Sequence, residues 1–483
     1  MTLENIDVTK TIETTKKMLK GNKKIPPTFA ILVFTLLKIL EIFLTRLGEN
    51  SNNSSIPPSQ DPNRPKPDRS KNKDKDKSKK PGGQKGREGK NLKPVETPDE
   101  IVEVPVDKEI LPPGHTYTKV GVAKRQVVEI HVARHVVEYQ LEILEDERGK
   151  RFTAKGPKGT SRPIQYGASI KAMAVYMSQY QLIPYGRVED YFCDQANIPI
   201  SAGSLFNFNK EAFNLLESFE VIAKERLRKS KFLHSDETGI NINGKRCWLH
   251  AALNDKWTLF MPHDKRGTEA IKHMEILPHF KGISIHDHWK PYFTYKQCLH
   301  ALCNAHHLRE LEAMIELHPS HTWAQLMRDF LKAVSKAVIE AGGVLKKEES
   351  DKYRERYREI LKKGDEECPP PIPPPQIKGE PKKRGKIKKS KERNLLERLR
   401  DFEKEVLRFM DVPYVPFTNN PGENDIRMTK VQQKISGCFK AFEGAEIFCR
   451  VRSYILTAQK HGLNATEALT TLFSGELPDF CNP

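Results

Sequence analysis

Hydrophobic and polar positions follow different periods along this chain, and each period predicts a different kind of element. Residues 101–145 alternate in twos, as in QVVEIHVARHVVEYQLEIL, which predicts a small antiparallel sheet with a turn at Pro112-Pro113-Gly114. Residues 167–228 carry apolar side chains at helical spacing and are predicted to be helical. The first half of the chain is therefore expected to hold a small β-rich domain over 101–160 and a helical region over 161–230.

The next segment predicts a mixed sheet. KFLHSDETGININGKRCWLHAALNDKWTLFMPHD reads as three strands, with tight turns at Asn243-Gly244 and near Asn254-Asp255. A helix around Ala270–Leu277 and the short strand GISIHDH follow, and helices dominate from Leu302 to Leu361 and from Asn394 to Phe409. This order predicts an α/β fold and is that of an RNase H-like domain, although several other mixed folds share it.

An apolar segment near the start, Phe29–Leu47, is interrupted by Lys38 and Glu41. A bilayer span needs roughly 20 uninterrupted apolar residues, so an amphipathic, self-associating helix within 1–50 is favoured over a membrane helix. The start of the chain shows no cleavable signal peptide.

Two low-complexity segments divide the chain. Residues 51–100 form a basic linker that is predicted to be disordered, either as a solubilising spacer or as an arm along DNA phosphates; 62–93 alone hold 13 Lys/Arg against 4 Asp/Glu. Residues 368–391 contain six prolines in seven positions around Ile372, which excludes a helix or a central strand. This Pro/Lys-rich loop is predicted to be an excursion inside a larger domain.

Length and charge narrow the function. A chain of 483 residues suggests about three domains, and a formal charge of +18 suits nucleic acid or an anionic membrane. Eight cysteines without a CxxC pair indicate reduced thiols and a cytoplasmic location.

The segment RVEDYFCDQANIPISAGSLFNFNKEAF has the outline of a helix-turn-helix, with Ser201 as the N-cap of the second helix. Any two short packed helices look alike, so this remains one of two interpretations. If the unit binds DNA, Ser201, Asn207 and Lys210 are its candidate contacts.

Acidic residues supply the candidate chemistry. Asp236 and Asp287 end the predicted strands KFLHSD and GISIHD, and strand ends are where open α/β sheets present ligands. Glu423 lies in NNPGENDIR, where Asn420 suits a helix cap and Pro421 a first turn. Carboxylates that share divalent cations need such rigid supports.

Helical spacing places Glu423 on one face with Arg427, Lys430 and Lys434, so that a carboxylate heads a basic stripe. This arrangement suits a metal held beside a DNA phosphate, and a solvated charged helix is the alternative.

Several motifs in sequence order resemble transposases of the insertion sequence 66 family. They are NSSIPPSQD with GGQKGREG, SIKAMAVYMSQYQLIPYGRVEDYF, HSDET, IHDHWKPYF, CNAHHLREL, NNPGENDIR with KISGCF, and LTAQKHGLNATEAL. The resemblance implies an RNase H-like (retroviral integrase-like) catalytic domain over 231–435, with a helical insertion at about 310–410 and a helical tail over 436–483.

The same resemblance implies the activity. Asp236, Asp287 and Glu423 would be the catalytic residues of a DDE transposase and would bind two Mg²⁺ (or Mn²⁺) ions. The enzyme would bind the terminal inverted repeats of an insertion sequence, cleave phosphodiester bonds and join the 3′-hydroxyl ends to target DNA. It would act in the bacterial cytoplasm, associated with the nucleoid, as a homo-oligomer on paired ends, with small accessory proteins of the element as possible partners and without a membrane.

Two departures from the family pattern matter. Residues 94–192 contain no cysteine, so the zinc motif that many relatives carry before the helical region is not expected. Gly422 stands where relatives usually have alanine, which could loosen the first turn of the Glu423 helix.

Histidines and cysteines near the acidic residues leave two interpretations open. The cluster Cys298, His300, Cys303, His306 and His307 suggests zinc, but the pair Cys303/His306 is incomplete as a tetrahedral site, which favours packing or substrate positioning. The aspartates are flanked by three further histidines, His234, His286 and His288. Each either orients a carboxylate or contacts phosphate, or else is an ordinary solvent-facing or core histidine.

Three other functions fit the same residues: an RNase H-like nuclease or resolvase without strand transfer, a catalytically inactive DNA-binding relative, and a membrane-anchored protein.

Overall fold

The computed structural model of the chain describes residues 2–3, 6–21, 25–48, 50, 61, 63, 92–157, 159–160, 162–371 and 389–482. Most of the predicted basic linker, and residues 372–388 of the predicted Pro/Lys-rich loop, lie outside the described residues.

The N-terminal segment is helical, as predicted. Short strands β1 (Thr2–Leu3) and β2 (Ile6–Asp7) pair antiparallel before helices α1 (Val8–Gly21) and α2 (Pro27–Gly48). Helix α2 begins at a proline, whose missing N–H costs nothing in a first turn. Within the described part of the chain, no helix combines the length and apolar character needed to cross a bilayer.

The predicted sheet over residues 101–145 is largely wrong. Residues 101–142 contain no strand, and the only pairing nearby is a hairpin of β3 (Ile143–Glu145) with β4 (Arg151–Thr153). Alternating side chains such as Val120 and Ile130 are almost fully exposed, with relative accessibilities of 98% and 87%. An alternating pattern forms a stable sheet only where one face has something to pack against, and here neither face does.

The helical prediction for 167–228 is confirmed. The helices are α3 (Ala168–Val175), α4 (Tyr185–Ala196), α5 (Ala202–Leu215) and α6 (Glu217–Arg228), with a π-helical turn at Tyr176–Tyr180 after α3. Ser201 caps α5 as predicted, because its side chain accepts a hydrogen bond from the Ser204 N–H at 3.2 Å.

A five-stranded mixed sheet follows. Its strands are β5 (Phe232–Ile242), β6 (Lys245–Leu253), β7 (Thr258–His263), β8 (Ile283–His286) and β9 (Leu299–Leu302), with α7 (Thr268–Met274) between β7 and β8. The order across the sheet is β7-β6-β5-β8-β9; β5, β6 and β7 pair antiparallel, whereas β8 and β9 run parallel to β5. The predicted turn at Asn243-Gly244 is confirmed, since both residues have positive φ (47° and 80°).

Helices cover both faces of the sheet. They are α8 (Asn304–Leu317), α9 (Trp323–Glu340), α10 (Lys347–Glu367), α11 (Lys391–Asp401), α12 (Glu403–Leu407), α13 (Asn420–Ser436), α14 (Phe442–Lys460) and α15 (Ala465–Phe473). One face packs against α3–α6 and α15. On the other face, α8–α12 lie over β8 and β9 while α13 lies over β5 and β6.

Helix α14 shields the edge strand β7. The N–H groups of Thr258 and Phe260 donate to the hydroxyls of Thr457 (3.1 Å) and Ser453 (2.8 Å). These bonds satisfy strand donors that would otherwise face an open sheet edge. The candidate site lies away from β7, beside β5 and at the carboxyl ends of β8 and β9.

Candidate active site

Two of the predicted acidic residues lie on adjacent parallel strands. Asp287 directly follows β8 as predicted, but Asp236 does not end its strand, because β5 stays paired with β6 for six more residues, as far as Ile242. His234 in β5 lies opposite Ile285 in β8, so two residues further along Asp236 comes opposite Asp287, which directly follows β8. Residues opposite each other in parallel strands project to the same face of the sheet. The sheet therefore brings Asp236 and Asp287 to one edge and one face.

The third parallel strand extends this row. Leu302 of β9 lies opposite His286, and the N–H of Cys303 donates to the His286 carbonyl at 2.9 Å. The Cys303 sulfur in turn accepts the N–H of Asn419 at 3.1 Å. Cys303 thus links the sheet edge to the residue that precedes α13.

Asn419, rather than the predicted Asn420, occupies the capping position of α13, and Pro421 lies in the first turn as predicted. The Asn419 side chain caps nothing and instead reaches strand β5. Its Oδ1 lies 2.6 Å from His234 Nδ1, and its Nδ2 donates to the Ser235 carbonyl at 3.0 Å. Because Asn419 is buried, these bonds replace the water that its amide would otherwise keep.

Gly422 explains how the first turn of α13 can lie so close to the Asn419 side chain. A Cβ atom at this position would stand 3.2 Å from both amide atoms of Asn419, which is tight for a side chain already held by two hydrogen bonds. The glycine therefore accommodates the Asn419 contact at the entrance of the helix.

Glu423 lies in the first turn of α13 and faces the start of α8. Its Oε1 is 3.5 Å from Arg309 Nη2 and 3.9 Å from His306 Nδ1, yet it is buried without a hydrogen-bond partner. Ligand atoms of Cys303, His306 and Glu423 all lie within 4.8 Å of one another. Among the described residues, Asp236 and Asp287 do not join Glu423 in a group this tight.

The three acidic residues nevertheless act on one another electrostatically. Burial raises the pKa of Asp236 well above its usual value, and the negative charges of Glu237, Asp287 and Glu423 raise it further. The hydrogen bond from the Glu237 N–H, at 2.9 Å, only partly offsets this. Carboxylates that repel one another, one of which has an oxygen without a hydrogen bond, can supply the oxygen ligands that a divalent cation needs.

An open cleft of about 980 Å³ lies over these residues. Its walls include Asp236, Asp287, Cys303 and His306, together with cationic groups that the sequence analysis did not single out: Arg246, Arg266 and Arg398. Trp248 and Trp289 contribute aromatic surface. Cationic and aromatic groups around an acidic centre suit a polyanionic chain with bases, such as DNA.

Glu237 is a further residue that the sequence analysis missed. Its side chain is only 2% exposed, it pairs with Arg266 at 2.7 Å, and it accepts a hydrogen bond from Tyr292 at 2.5 Å. Burial, followed by the charge of Asp287, raises its pKa. The second acid of HSDET was the available signal. Strand alternation points its side chain away from that of Asp236, although both residues line the cleft.

The predicted Cys/His cluster separates into distinct sets. His300 Nδ1 lies 2.9 Å from His286 Nε2, Cys298 lies 4.0 Å from His300, and His307 contacts Asn304 at 3.0 Å. The five residues therefore do not form one metal site in this structure, and only Cys303 and His306 lie beside Glu423.

Of the histidines beside the aspartates, His234 and His286 belong to the interior, whereas His288 is half-buried in the wall of the cleft. Burial lowers the pKa of His286 to about 3 and that of His288 to about 4, and it also lowers the pKa of His234. His234 contacts Asn419, and His288 packs edge-on against Phe402. Neutral imidazoles of this kind orient neighbours and do not pair with phosphate as cations.

The six predicted DNA contacts are dispersed. Lys430 lines the cleft and donates to the Gly239 carbonyl, whereas Arg427 and Lys434 are exposed on α13 outside the lining. Ser201 is engaged in its cap, and Lys210 pairs with Glu443 at 2.7 Å. Asn207 is exposed on α5.

Comparison with known families agrees with the motifs. Residues 163–447, more than half of the chain and including all of the cleft, match the family described as Transposase IS66 family. Residues 34–93 match a family of unknown function (DUF6444), and no curated protein matches the chain. The predicted resemblance is thereby confirmed, and the chain belongs to the transposase IS66 family.

Proposed function

We propose that this protein is a DDE transposase that nicks DNA at the ends of an insertion sequence and joins those ends to target DNA, with Asp236, Asp287 and Glu423 as its catalytic residues. One observation carries the proposal. Asp236 and Asp287 lie opposite each other on adjacent strands and line a cleft with cationic walls, and the charges of Asp287 and Glu423 both raise the pKa of Asp236.

The topology supports an RNase H-like core. Three antiparallel strands, β5 to β7, are followed by a helix and then by β8 and β9 parallel to β5. Asp236, inside β5, comes opposite Asp287, which follows β8, and Glu423 returns on α13 after the helices α8–α12. Ligands bind outside the carboxyl ends of strands in such sheets.

Divalent cations fit the residues present. The raised pKa of Asp236 indicates excess negative charge around it, and oxygen donors favour Mg²⁺ or Mn²⁺. Glu423 Oε1 lies near Arg309 and His306 but accepts no hydrogen bond, so it is available as a further donor atom. We propose that Asp236, Asp287 and Glu423 hold two such ions. When bound, the ions would activate water and stabilise the leaving oxygen of the phosphodiester.

The chain itself would position the DNA. Lys430, Arg398 and Arg246 line the cleft, where guanidinium and ammonium groups bind phosphate without reading sequence. Cys303 and His306 flank Glu423 and would orient its carboxylate. Arg427, Lys434, Ser201, Asn207 and Lys210 would contact DNA beyond the cleft, with α4 and α5 as a helix-turn-helix unit.

The partners proposed are terminal inverted repeats, target DNA and a second copy of the chain on paired ends. Accessory proteins of the same element are a further proposal, on the basis of family membership.

The test is a nicking and joining assay on DNA that carries the element's end, with Mg²⁺, comparing the parent with Asp236→Asn. The exposed Asp479→Asn, far along the chain at the C-terminus, is the matched control. Loss of both activities in Asp236→Asn alone supports the proposal. Nicking without joining of pre-cut ends would indicate a nuclease, and stable binding without Mg²⁺-dependent nicking would indicate an inactive DNA-binding relative.

A further inference from the structure

A second group of potential metal ligands lies away from the cleft, where the segment after α8 meets the first turn of α11. His318 and His321 come from that segment, and Glu392 comes from α11. The Glu392 carboxylate is only 3% exposed. The ligand atoms of the three residues all lie within 4.8 Å of one another.

The two oxygens of Glu392 have different surroundings. Oε1 lies 2.8 Å from His321 Nδ1 and accepts the Trp323 indole N–H at 2.6 Å. Oε2 faces His318 Nε2 at 3.8 Å, beyond hydrogen-bond range. The two imidazole rings stack with centroids 5.3 Å apart, so both present their edges to the same carboxylate.

A thiol adjoins this group. Cys368 follows α10 and is buried, and its sulfur lies 3.8 Å from the Ser390 hydroxyl, two residues before Glu392. The sulfur stands outside the group of ligand atoms that lie within 4.8 Å of one another. Two imidazole nitrogens, a carboxylate oxygen and a thiolate together make a four-ligand set that Zn²⁺ accepts, and His-x-x-His spacing is common in such sites.

We propose that His318, His321 and Glu392 bind a zinc ion, and that the neighbouring Cys368 side chain moves in to complete the coordination. The site would join three separate parts of the chain: the segment after α8, the end of α10 and the start of α11. The last two flank residues 372–388 within the predicted Pro/Lys-rich loop. The role would be structural, because all four coordination positions come from the protein and none is left for substrate.

This inference is independent of the proposed catalysis. The ligands are different residues from Asp236, Asp287 and Glu423, and none of the four lines the cleft. The alternative is a metal-free cluster in which Glu392 only accepts hydrogen bonds from His321 and Trp323. The two possibilities differ in whether these residues bind zinc and in whether zinc raises the melting temperature of the protein.

The experiment uses the full chain stripped of metal with a chelator. Zn²⁺ is titrated against a chromophoric chelator, and the melting temperature is recorded with and without Zn²⁺. The parent is compared with the double variant His318→Asn/His321→Asn and with His273→Asn/His279→Asn, two exposed histidines on another part of the surface. All measurements are repeated in a His306→Asn background, so that binding beside Glu423 is not counted.

We expect the parent and the control to bind one zinc equivalent more than His318→Asn/His321→Asn, and the part of the rise in melting temperature that this zinc provides to be lost in that variant. Cobalt substitution in Cys368→Ser tests the fourth ligand, because a thiolate–cobalt charge-transfer band should disappear while the metal stoichiometry is retained. Equal zinc stoichiometry in the parent and in His318→Asn/His321→Asn would overturn the site. A charge-transfer band that persists in Cys368→Ser would overturn the role of the thiol.

Discussion

The side chains of His234 and Asn419, 185 residues apart in the chain, meet at 2.6 Å between Nδ1 and Oδ1. Asn419 also donates to the Ser235 carbonyl, and its backbone N–H donates to Cys303. These contacts are buried and tie the start of α13 to two strands of the sheet. They set where Glu423 stands relative to Asp236, two residues beyond His234.

Asn419→Ala is therefore expected to lower kcat for Mg²⁺-dependent nicking by roughly 10- to 100-fold, the usual effect of losing a residue that orients metal ligands. KM for DNA should change little, because Asn419 is buried and does not line the cleft. The free energy of unfolding should fall by about 1–3 kcal/mol, since His234 and Ser235 lose a buried partner. Asn420→Ala, at the exposed neighbouring position, is the control, and an equal loss in both variants would contradict the positioning role.

Asp236→Asn is expected to stabilise the metal-free fold while abolishing its response to Mg²⁺. The raised pKa of Asp236 shows that the folded state disfavours this charge, so the neutral amide relieves repulsion from Glu237, Asp287 and Glu423. In the parent, Mg²⁺ at 100 times its Kd should add about 2.7 kcal/mol to stability. Differential scanning calorimetry with and without Mg²⁺ measures both effects, with Asp479→Asn as control. A Mg²⁺ response that survives in Asp236→Asn would argue against this ligand.

Arg266→Ala is expected to reduce the free energy of unfolding by about 1–3 kcal/mol. Arg266 pairs with the buried Glu237 and stacks on Trp248 and Trp289, with distances of 4.8 and 4.5 Å to the ring centroids. This loss of free energy of unfolding is smaller than that expected for a fully buried ion pair, because the Arg266 side chain is 40% exposed. Adding Glu237→Gln should recover part of the loss by removing the unpaired charge. A double-mutant cycle in urea checks this, and strictly additive losses would contradict the coupling.

Acid is expected to destabilise the fold through buried neutral histidines. Burial lowers the pKa of His250 to about 4, so between its ordinary value of 6.5 and about 4 the unfolded chain binds a proton that the folded chain refuses. The stability contributed by neutral His250 is thus present above about pH 6.5 and is lost as pH falls through this window, by at most about 1.4 kcal/mol per pH unit.

Urea unfolding of the parent and of His250→Asn at several pH values measures this contribution. The stability difference between the two proteins should shrink as pH falls from 6.5 to about 4. The exposed His279→Asn is the control and should track the parent more closely. A difference that is constant with pH would show that His250 does not titrate as described.

Removing Lys430 is expected to weaken binding to all DNA sequences alike. Lys430 lines the cleft, and a contact with one phosphate contributes about 0.9 to the slope of log affinity against log salt concentration. Lys430→Ala should lower that slope by about this amount, as measured by fluorescence anisotropy over a salt series. Lys336→Ala, on the exposed surface of α9, should leave the slope unchanged. An unchanged slope in Lys430→Ala would place DNA elsewhere.

Much of the fold follows from local patterns. The tight turn at Asn243-Gly244, the apolar residues that lead into Asp236 and Asp287, and the Ser201 cap are all recognisable without coordinates, because each depends on neighbours in sequence. The end of β5 is not, since the strand continues past Asp236 to Ile242. Strand β9 was missed, since its four residues LHAL have no periodicity that separates a strand from the start of a helix.

The sequence by itself determined the family, the α/β fold class and the acidic residues that are candidates for the site, because motif order and periodicity are properties of the chain alone. Only the tertiary structure decided the rest: the register that sets Asp236 opposite Asp287, the Asn419 contact that brings α13 to the sheet, and the pairing of Glu237 with Arg266 on the other face. It also decided that the alternating segment 101–142 forms no sheet. The physical reason is common to all of these: each depends on a partner distant in sequence, and burial against that partner is a property of packing that no local pattern contains.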